Sequence, residues 1–231
     1  MIFKHCAQGA SQGKTVALDL MEVDLADGQK RMSFFGVTIG LVADVDIGSE
    51  ALRCLGWMRA YILVAMRILL PKYYRVKVSY LPLSLDAHGQ PIPVPPKEPP
   101  LSLPRLSEPV PPSWVSIEDN FYLVYASNLS LLDPMTLLAP DSRVDDGVIY
   151  LVLVRSTMRR LEMIHWFIDA AEGGHIGKTG VEVIPVRAFR IDPLQPRDGY
   201  MTIDAENVDF GPSQGQILPS KGRLLVSDQK P

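Results

Sequence analysis

Alternation opens the chain. KTVALDLMEVDL, residues 14–25, alternates apolar and polar positions, which predicts a half-buried strand, and Asp27-Gly28 supplies a turn. RMSFFGVTIGLVADVD, Arg31 to Asp46, predicts a second strand buried on both faces, in which Gly36 and Gly40 mark bulges or close approaches of another backbone. A helix is predicted from about Glu50 to Leu70, with Ser49 as its N-cap and Pro71 as its stop. Leu52, Leu55, Tyr61, Ile62, Met66 and Leu69 give it a wide packed face. Tyr74 to Leu81 again alternates like a strand. Order resumes near Trp114, with strands over Asn120 to Asn128 and Val148 to Arg155. A second helix is predicted from Thr157 to Glu172, with Leu161, Ile164, Phe167, Ile168 and Ala171 on one face and Gly173-Gly174 closing it. Three further strands follow, Val181 to Ile191, Gly199 to Asp204 and Gln216 to Val226. Strands outnumber helices and no βαβ alternation occurs. The expectation is a mainly β (α+β) protein, an antiparallel β-sandwich with two helices attached.

Between the two ordered parts the composition changes: 11 of the 20 prolines fall between Pro82 and Pro112. Proline donates no ladder hydrogen bond, so residues 82–113 are expected to form a mobile loop or insert that splits one domain into 1–81 and 114–231. The Pro96-Lys97-Glu98-Pro99 match to a Pro-x-x-Pro ligand is expected by chance in such a stretch.

A net charge of −3 gives no basic footprint for nucleic acid. Two cysteines in unlike contexts, Cys6 and Cys54, suggest free thiols in a reducing, cytoplasmic setting. The four histidines show no metal-ligand spacing. The most apolar run, Tyr61 to Leu70, is interrupted by Arg67 and falls short of the ~20 residues of a membrane span, so membrane contact is expected only at the surface.

Three segments carry a resemblance: GLVADVDIGSEALRCLGWMR (Gly40 to Arg59), LLAPDSRVDDGVIYLVLVR (Leu137 to Arg155), and VIPVRAFRIDP (Val183 to Pro193) followed by Thr202 to Glu206 and QGQILP. Their order and spacing resemble the carboxy-terminal, lipid-binding domain of the sphingosine kinase family, within the diacylglycerol-kinase-like superfamily. The resemblance implies a lipid kinase that moves the γ-phosphoryl of Mg-ATP to the primary hydroxyl of sphingosine. It implies ATP and Mg²⁺ as cofactors, a sphingoid base as substrate, and peripheral membrane association. No Gly-Asp-Gly phosphate loop occurs in the chain, so the nucleotide domain and its catalytic base are absent and the chain alone is expected to be inactive. The alternatives are a non-catalytic lipid-binding module, and a related kinase acting on ceramide or diacylglycerol.

Residue by residue, the resemblance places Asp46 at the cationic head of the lipid, with Asp19 nearby. An ammonium entering an apolar cavity requires a charged acceptor; the alternative for Asp46 is a helix N-cap. As the end of a regular strand, Asp44 and Asp46 would share one face. Lining positions by the same resemblance are Leu41, Val42, Val45, Val64, Tyr125, Thr136, Val152, Met163, Trp166 and His175, around a cavity that narrows on one chain. Arg53 and Arg59 match nucleotide-phosphate contacts. On one continuous helix they would point about 120° apart and touch different groups, and Arg53 could instead pair with Glu50. Asp204 and Glu206 match an acidic pair beside the nucleotide and its magnesium, with Ala205 where the family has Gly, a position at which positive φ would strain the turn.

Overall fold

The computed structural model describes residues 14–56, 58–133, 136–170, 172–195 and 199–226. Cys6 lies outside them, and Cys54 is a free, exposed thiol. Twelve strands form among these residues. β1 (Thr15–Leu25) and β2 (Lys30–Ser33) make the first hairpin, and β3 (Gly36–Gly40) runs into helix α1 (Leu41–Gly48). A 3₁₀ segment (Ser49–Leu55) and α2 (Met58–Leu69) follow, then β4 (Tyr74–Pro82), β5 (Val115–Ser127), the short pair β6 (Leu131–Asp133) and β7 (Thr136–Leu137), and β8 (Ile149–Arg155). Helix α3 (Arg160–Ala170) precedes β9 (Val181–Pro193), β10 (Met201–Ile203), β11 (Glu206–Val208) and β12 (Ser213–Leu225).

All strand pairs are antiparallel, in the order β11-β10-β3-β5-β4-β9-β12-β1-β2. Two long strands change partner in mid-course. β5 pairs with β4 up to Phe121 and with β8 beyond it. β9 pairs with β8 up to Val186 and with β4 from there on. β8 thus closes a ring with β5, β4 and β9, and the sheet folds back on itself as a sandwich whose corners are these two strands. One core lies between its halves, with Met21, Val23, Ile39, Val76, Val78, Phe121, Ile149, Leu151, Phe189 and Ile191. A second core lies on the opposite face of β5 and β8, under α1 and α3. β8 is apolar throughout because Leu151 and Leu153 face the first core while Val152 and Val154 face the second.

The two glycines of β3 act as expected. A Cβ on Gly36 would meet the Tyr125 ring at 2.4 Å, and one on Gly40 would meet the Tyr122 carbonyl at 2.4 Å. Gly40 also sits at φ 97°, so the strand ends there. Two boundaries differ from expectation as a result. The predicted strand stops at Gly40 instead of reaching Asp46, with a short helix in its place, and the predicted helix from Glu50 is replaced by two shorter pieces, broken at Gly56 (φ 57°). Ser49 caps no helix, and its hydroxyl donates back to the Asp46 carbonyl.

The apolar faces of both helices are also placed differently. Tyr61, Met66, Leu69 and Leu70 on and after α2, and Leu161, Ile164 and Ile168 on α3, are exposed. Met163, Trp166 and Ala170 are the residues α3 buries. No helix among the described residues is long and apolar enough to cross a membrane.

The proline-rich segment, expected as a mobile loop or insert, makes side-chain-to-backbone hydrogen bonds with the sandwich. Arg190 on β9, 3% exposed, donates to the side-chain oxygen of Gln214 and to the carbonyls of Pro104, Arg105 and Glu108. The Gln216 side chain accepts from Leu101 N and donates to Leu101 O. These buried donors satisfy a backbone that has no ladder of its own. Pro95 to Glu98 is a turn, and Glu98 is ion-paired to Arg187 at 2.5 Å, so the Pro-x-x-Pro match is not displayed as an extended ligand.

Candidate functional site

Helix α1 carries the two acids of the first motif, and on a helix residues two apart point about 200° from each other. Asp44 and Asp46 therefore face opposite ways, correcting the shared face expected of a strand. Asp44 is buried and accepts from Tyr74 Oη at 2.6 Å, with Arg67 Nε 3.1 Å from its other oxygen. Asp46 is partly buried, and no cation or hydrogen-bond donor among the described residues meets its carboxylate. It caps nothing. Burial alone pushes its pKa from 3.8 to about 6, the signature of a charged group desolvated without a partner.

Beside α1 lies the second core. Leu41, Val42, Tyr125, Val152, Met163 and Trp166 meet in it, with Val45 packed against it. His175 is fully buried, its ring 6.1 Å from that of Trp166 and its Nε2 3.0 Å from the Leu138 carbonyl. A carbonyl only accepts, so Nε2 carries the proton; burial holds the imidazole below its usual pKa and hence neutral. Val64 and Thr136 stand outside this core, half-buried on α2 and β7, and Thr136 donates to Asp133. Burial raises the Tyr125 phenol, and the Asp204 and Asp46 carboxylates add to that.

Asp46 lines neither of two cavities of the sandwich. One cavity of about 390 Å³ is lined by Pro93, Val94, Pro95, Pro96, Arg143, Asp145, Asp146 and Pro219. Another of about 170 Å³ lies between the Gly89–Pro91 turn and Tyr150.

The remaining candidates divide. Arg53 and Arg59 converge: both pair with Glu50, Arg59 at 2.9 Å. The 120° separation does not apply, because the helix breaks at Gly56 between them. Asp204 and Ala205 form the two-residue turn between β10 and β11, at φ 52° and 65°, as a type I′ hairpin requires. Ala205 therefore does occupy the left-handed region. Asp204 accepts from Ser33 Oγ at 2.6 Å and from the backbone N–H groups of Phe34, Phe35 and Gly36. Glu206 is exposed, 3.8 Å from Arg31. With Asp204 saturated and no metal-holding cluster among the described residues, these acids do not fit a magnesium site on their own. Asp19 is buried, and its two oxygens accept from Gly147 N at 2.5 Å and Ser220 N at 2.6 Å. It ties β1 to the turn before β8 and to β12.

Comparison with known proteins matches this arrangement. A family described as the YegS C-terminal NAD kinase beta sandwich-like domain covers residues 115–226. Sphingosine kinase 1 of Homo sapiens is 31% identical over 209 residues, covering 88% of this chain and 54% of its own length. Sphingosine kinase 2 of Homo sapiens is 26% identical, covering 96% of this chain and 52% of its own length. The chain is similar to sphingosine kinases over most of its length. It spans about half the length of these relatives. A solved structure of a putative diacylglycerol kinase from Bacillus anthracis shares the fold, with a TM-score of 0.61 at 16% identity over 96% of this chain and 60% of that one.

In this sphingosine kinase relative, the apolar lining candidates share the second core while the charged candidates make separate local contacts. Sequence reasoning missed Tyr122, Leu123, Leu138, Met158, Val154 and Val181, which complete that core. The alternation of β8 could have shown Val154. Leu138 and Met158 come from connecting segments, where no periodicity points to a face.

Proposed function

We propose that these residues are the lipid-recognising half of a sphingosine kinase. Asp46 receives the ammonium of a sphingoid base, and the second core parts to take the hydrocarbon tail. The single observation that carries this is the unpaired, partly buried carboxylate of Asp46 at the edge of an apolar core. A buried charge without a partner is costly, and a cationic lipid head is the ligand that offsets it. A neutral ceramide or diacylglycerol head would leave the carboxylate unpaired.

In the whole enzyme the primary hydroxyl of the bound lipid attacks the γ-phosphorus of ATP. The bond to the β–γ bridging oxygen breaks, ADP leaves, and the hydroxyl proton passes to a base outside these residues. The residues present hold the lipid, exclude water around its tail, and offer Arg53 and Arg59 as a converged pair of guanidiniums for phosphate oxygens in place of Glu50. ATP and magnesium belong to that whole enzyme.

The membrane-facing element is the pair α2–α3. Leu161, Ile164 and Ile168 stand at i, i+3 and i+7 on α3, next to the exposed Met58, Tyr61, Met66 and Leu69 of α2. An apolar patch on two adjacent helices suits partial insertion among lipid headgroups, the source of a membrane-dissolved substrate. Trp166 is buried and takes no part in it.

A second reading, a lipid-binding module without turnover, is favoured by Asp204, whose carboxylate is spent on the β2–β3 turn. Calorimetry of the chain with a fluorescence-labelled sphingosine, and a phosphate-transfer assay with ATP, test both readings. Binding lost in Asp46→Ala is the expected result; binding that survives it sinks the site. Turnover by these residues alone would refute the assignment of the base to a part outside them.

A further inference from the structure

Asp46 sits on a helix of only eight residues, held on its apolar side by the buried Leu41, Val42 and Ala43. Its N-cap is Gly40, which offers no side-chain cap, and its C-terminal end runs into the 3₁₀ segment. A roll of α1 by one residue's angle, about 100°, would carry the Asp46 carboxylate away from the core. Apolar packing sets that angle only coarsely, and on the side of the helix opposite Asp46 the buried Asp44 is held by two polar contacts. Tyr74, the first residue of β4, donates to Asp44 Oδ1 at 2.6 Å. The ring of Tyr74 is itself locked: a Cβ on Gly199 would stand 2.3 Å from it, and Phe210 packs at 6.1 Å between centroids. Arg67 of α2 meets Asp44 Oδ2 at 3.1 Å, an ion pair without hydrogen-bond alignment. The Tyr122 hydroxyl, buried and without a partner, lies in the field of both charges.

We propose that Asp44 is the positioning residue of the head-group site: pinned by Tyr74 on β4 and by Arg67 on α2, it sets the roll of α1 and so the direction in which Asp46 presents its carboxylate. The inference rests on the reading of Asp46 as the ammonium acceptor. It gives the first motif's two acids distinct roles, one turned inward to hold the helix and one turned toward the lipid. It also joins α2 to the same control, since Arg67 is the charged contact between α2 and α1.

The test uses two probes of equal chain length, decylamine and decan-1-ol, with calorimetry on the whole chain. Tyr74→Phe removes one oxygen and leaves the ring between Gly199 and Phe210. Asp44→Asn keeps an acceptor for Tyr74 and removes the charge that meets Arg67. Each variant is expected to lose about fivefold or more in affinity for decylamine, about 1 kcal/mol, with decan-1-ol bound as before. Equal losses for both probes would show a merely structural role and overturn the proposal, as would no loss for either. Wild type binding the amine no better than the alcohol would sink the Asp46 reading itself. The positioning role is then judged by carboxyl-carbon NMR of Asp46 in the unliganded chain. Its titration should shift in Tyr74→Phe, and a curve superimposable on wild type overturns the proposal whatever the lipids do.

Discussion

Replacing Asp46 by Asn should stabilise the fold at neutral pH while abolishing recognition of a cationic lipid. The carboxyl titrates near 6 in the folded chain against an ordinary 3.8, because burial disfavours its charged form. A folded pKa raised above the unfolded one means that the native state binds the extra proton between about pH 4 and pH 6, so this group's contribution to stability falls across that window. Above it the penalty is complete, about 3 kcal/mol by the difference of the two values. Solvent reaching the partly exposed carboxylate trims that to about 1–2 kcal/mol. Asp146 is also pushed up to about 6, first by burial, so the wild-type profile contains both groups and only the difference between variant and wild type isolates Asp46. Urea unfolding at about pH 7.5 and about pH 4 provides the assay. The expected result is a gain of about 1–2 kcal/mol for Asp46→Asn at the higher pH and none at the lower, paired with loss of amine binding. A variant no more stable than wild type at pH 7.5, or one with the same difference at both pH values, would refute the idea of an uncompensated carboxylate.

Ala205→Gly should raise the melting temperature by roughly 2–3 °C, since the left-handed backbone costs Ala about 1–2 kcal/mol and the freedom of Gly returns part of that. Arg190→Met should cost about 2 kcal/mol in urea unfolding and open residues 101–108 to limited proteolysis, because four acceptors, three of them partly buried, lose their donor. Leu161→Ser with Ile168→Ser should cut co-sedimentation with neutral vesicles roughly tenfold, while charge reversal at Arg159 and Arg160 leaves it unchanged; the opposite pattern would assign membrane contact to charge.

The strands were legible because alternation survives on any half-buried sheet. β1 places Met21, Val23 and Leu25 in one buried row, as alternation predicts, and Asp19 joins that row against the pattern. The strong motif residues were legible for a different reason: they carry a resemblance, and seven of the ten lining positions do meet around one core. What the pattern could not give was which apolar face of a helix is inside. Leu161, Ile164 and Ile168 have the spacing of a packed stripe and stand in solvent, while Met163 and Trp166 go inward. Both faces of α3 are apolar enough to be buried, and only the position of β5 and β8 decides between them.

Local sequence thus determined the alternation of the strands, the glycines of β3 and the proline-rich break, all of which depend on neighbours within a few residues. Tertiary structure decided the rest. Gly40 could end β3 only because the Tyr122 carbonyl stands where a Cβ would go. Residues 101–108 are tied to the sandwich by hydrogen bonds from Arg190, Gln214 and Gln216, far along the chain. Asp44 and Asp46, two positions apart and chemically identical, were separated into a paired acid and an unpaired one by the turn of a helix, since charge becomes costly or useful only through the groups that a fold brings to it.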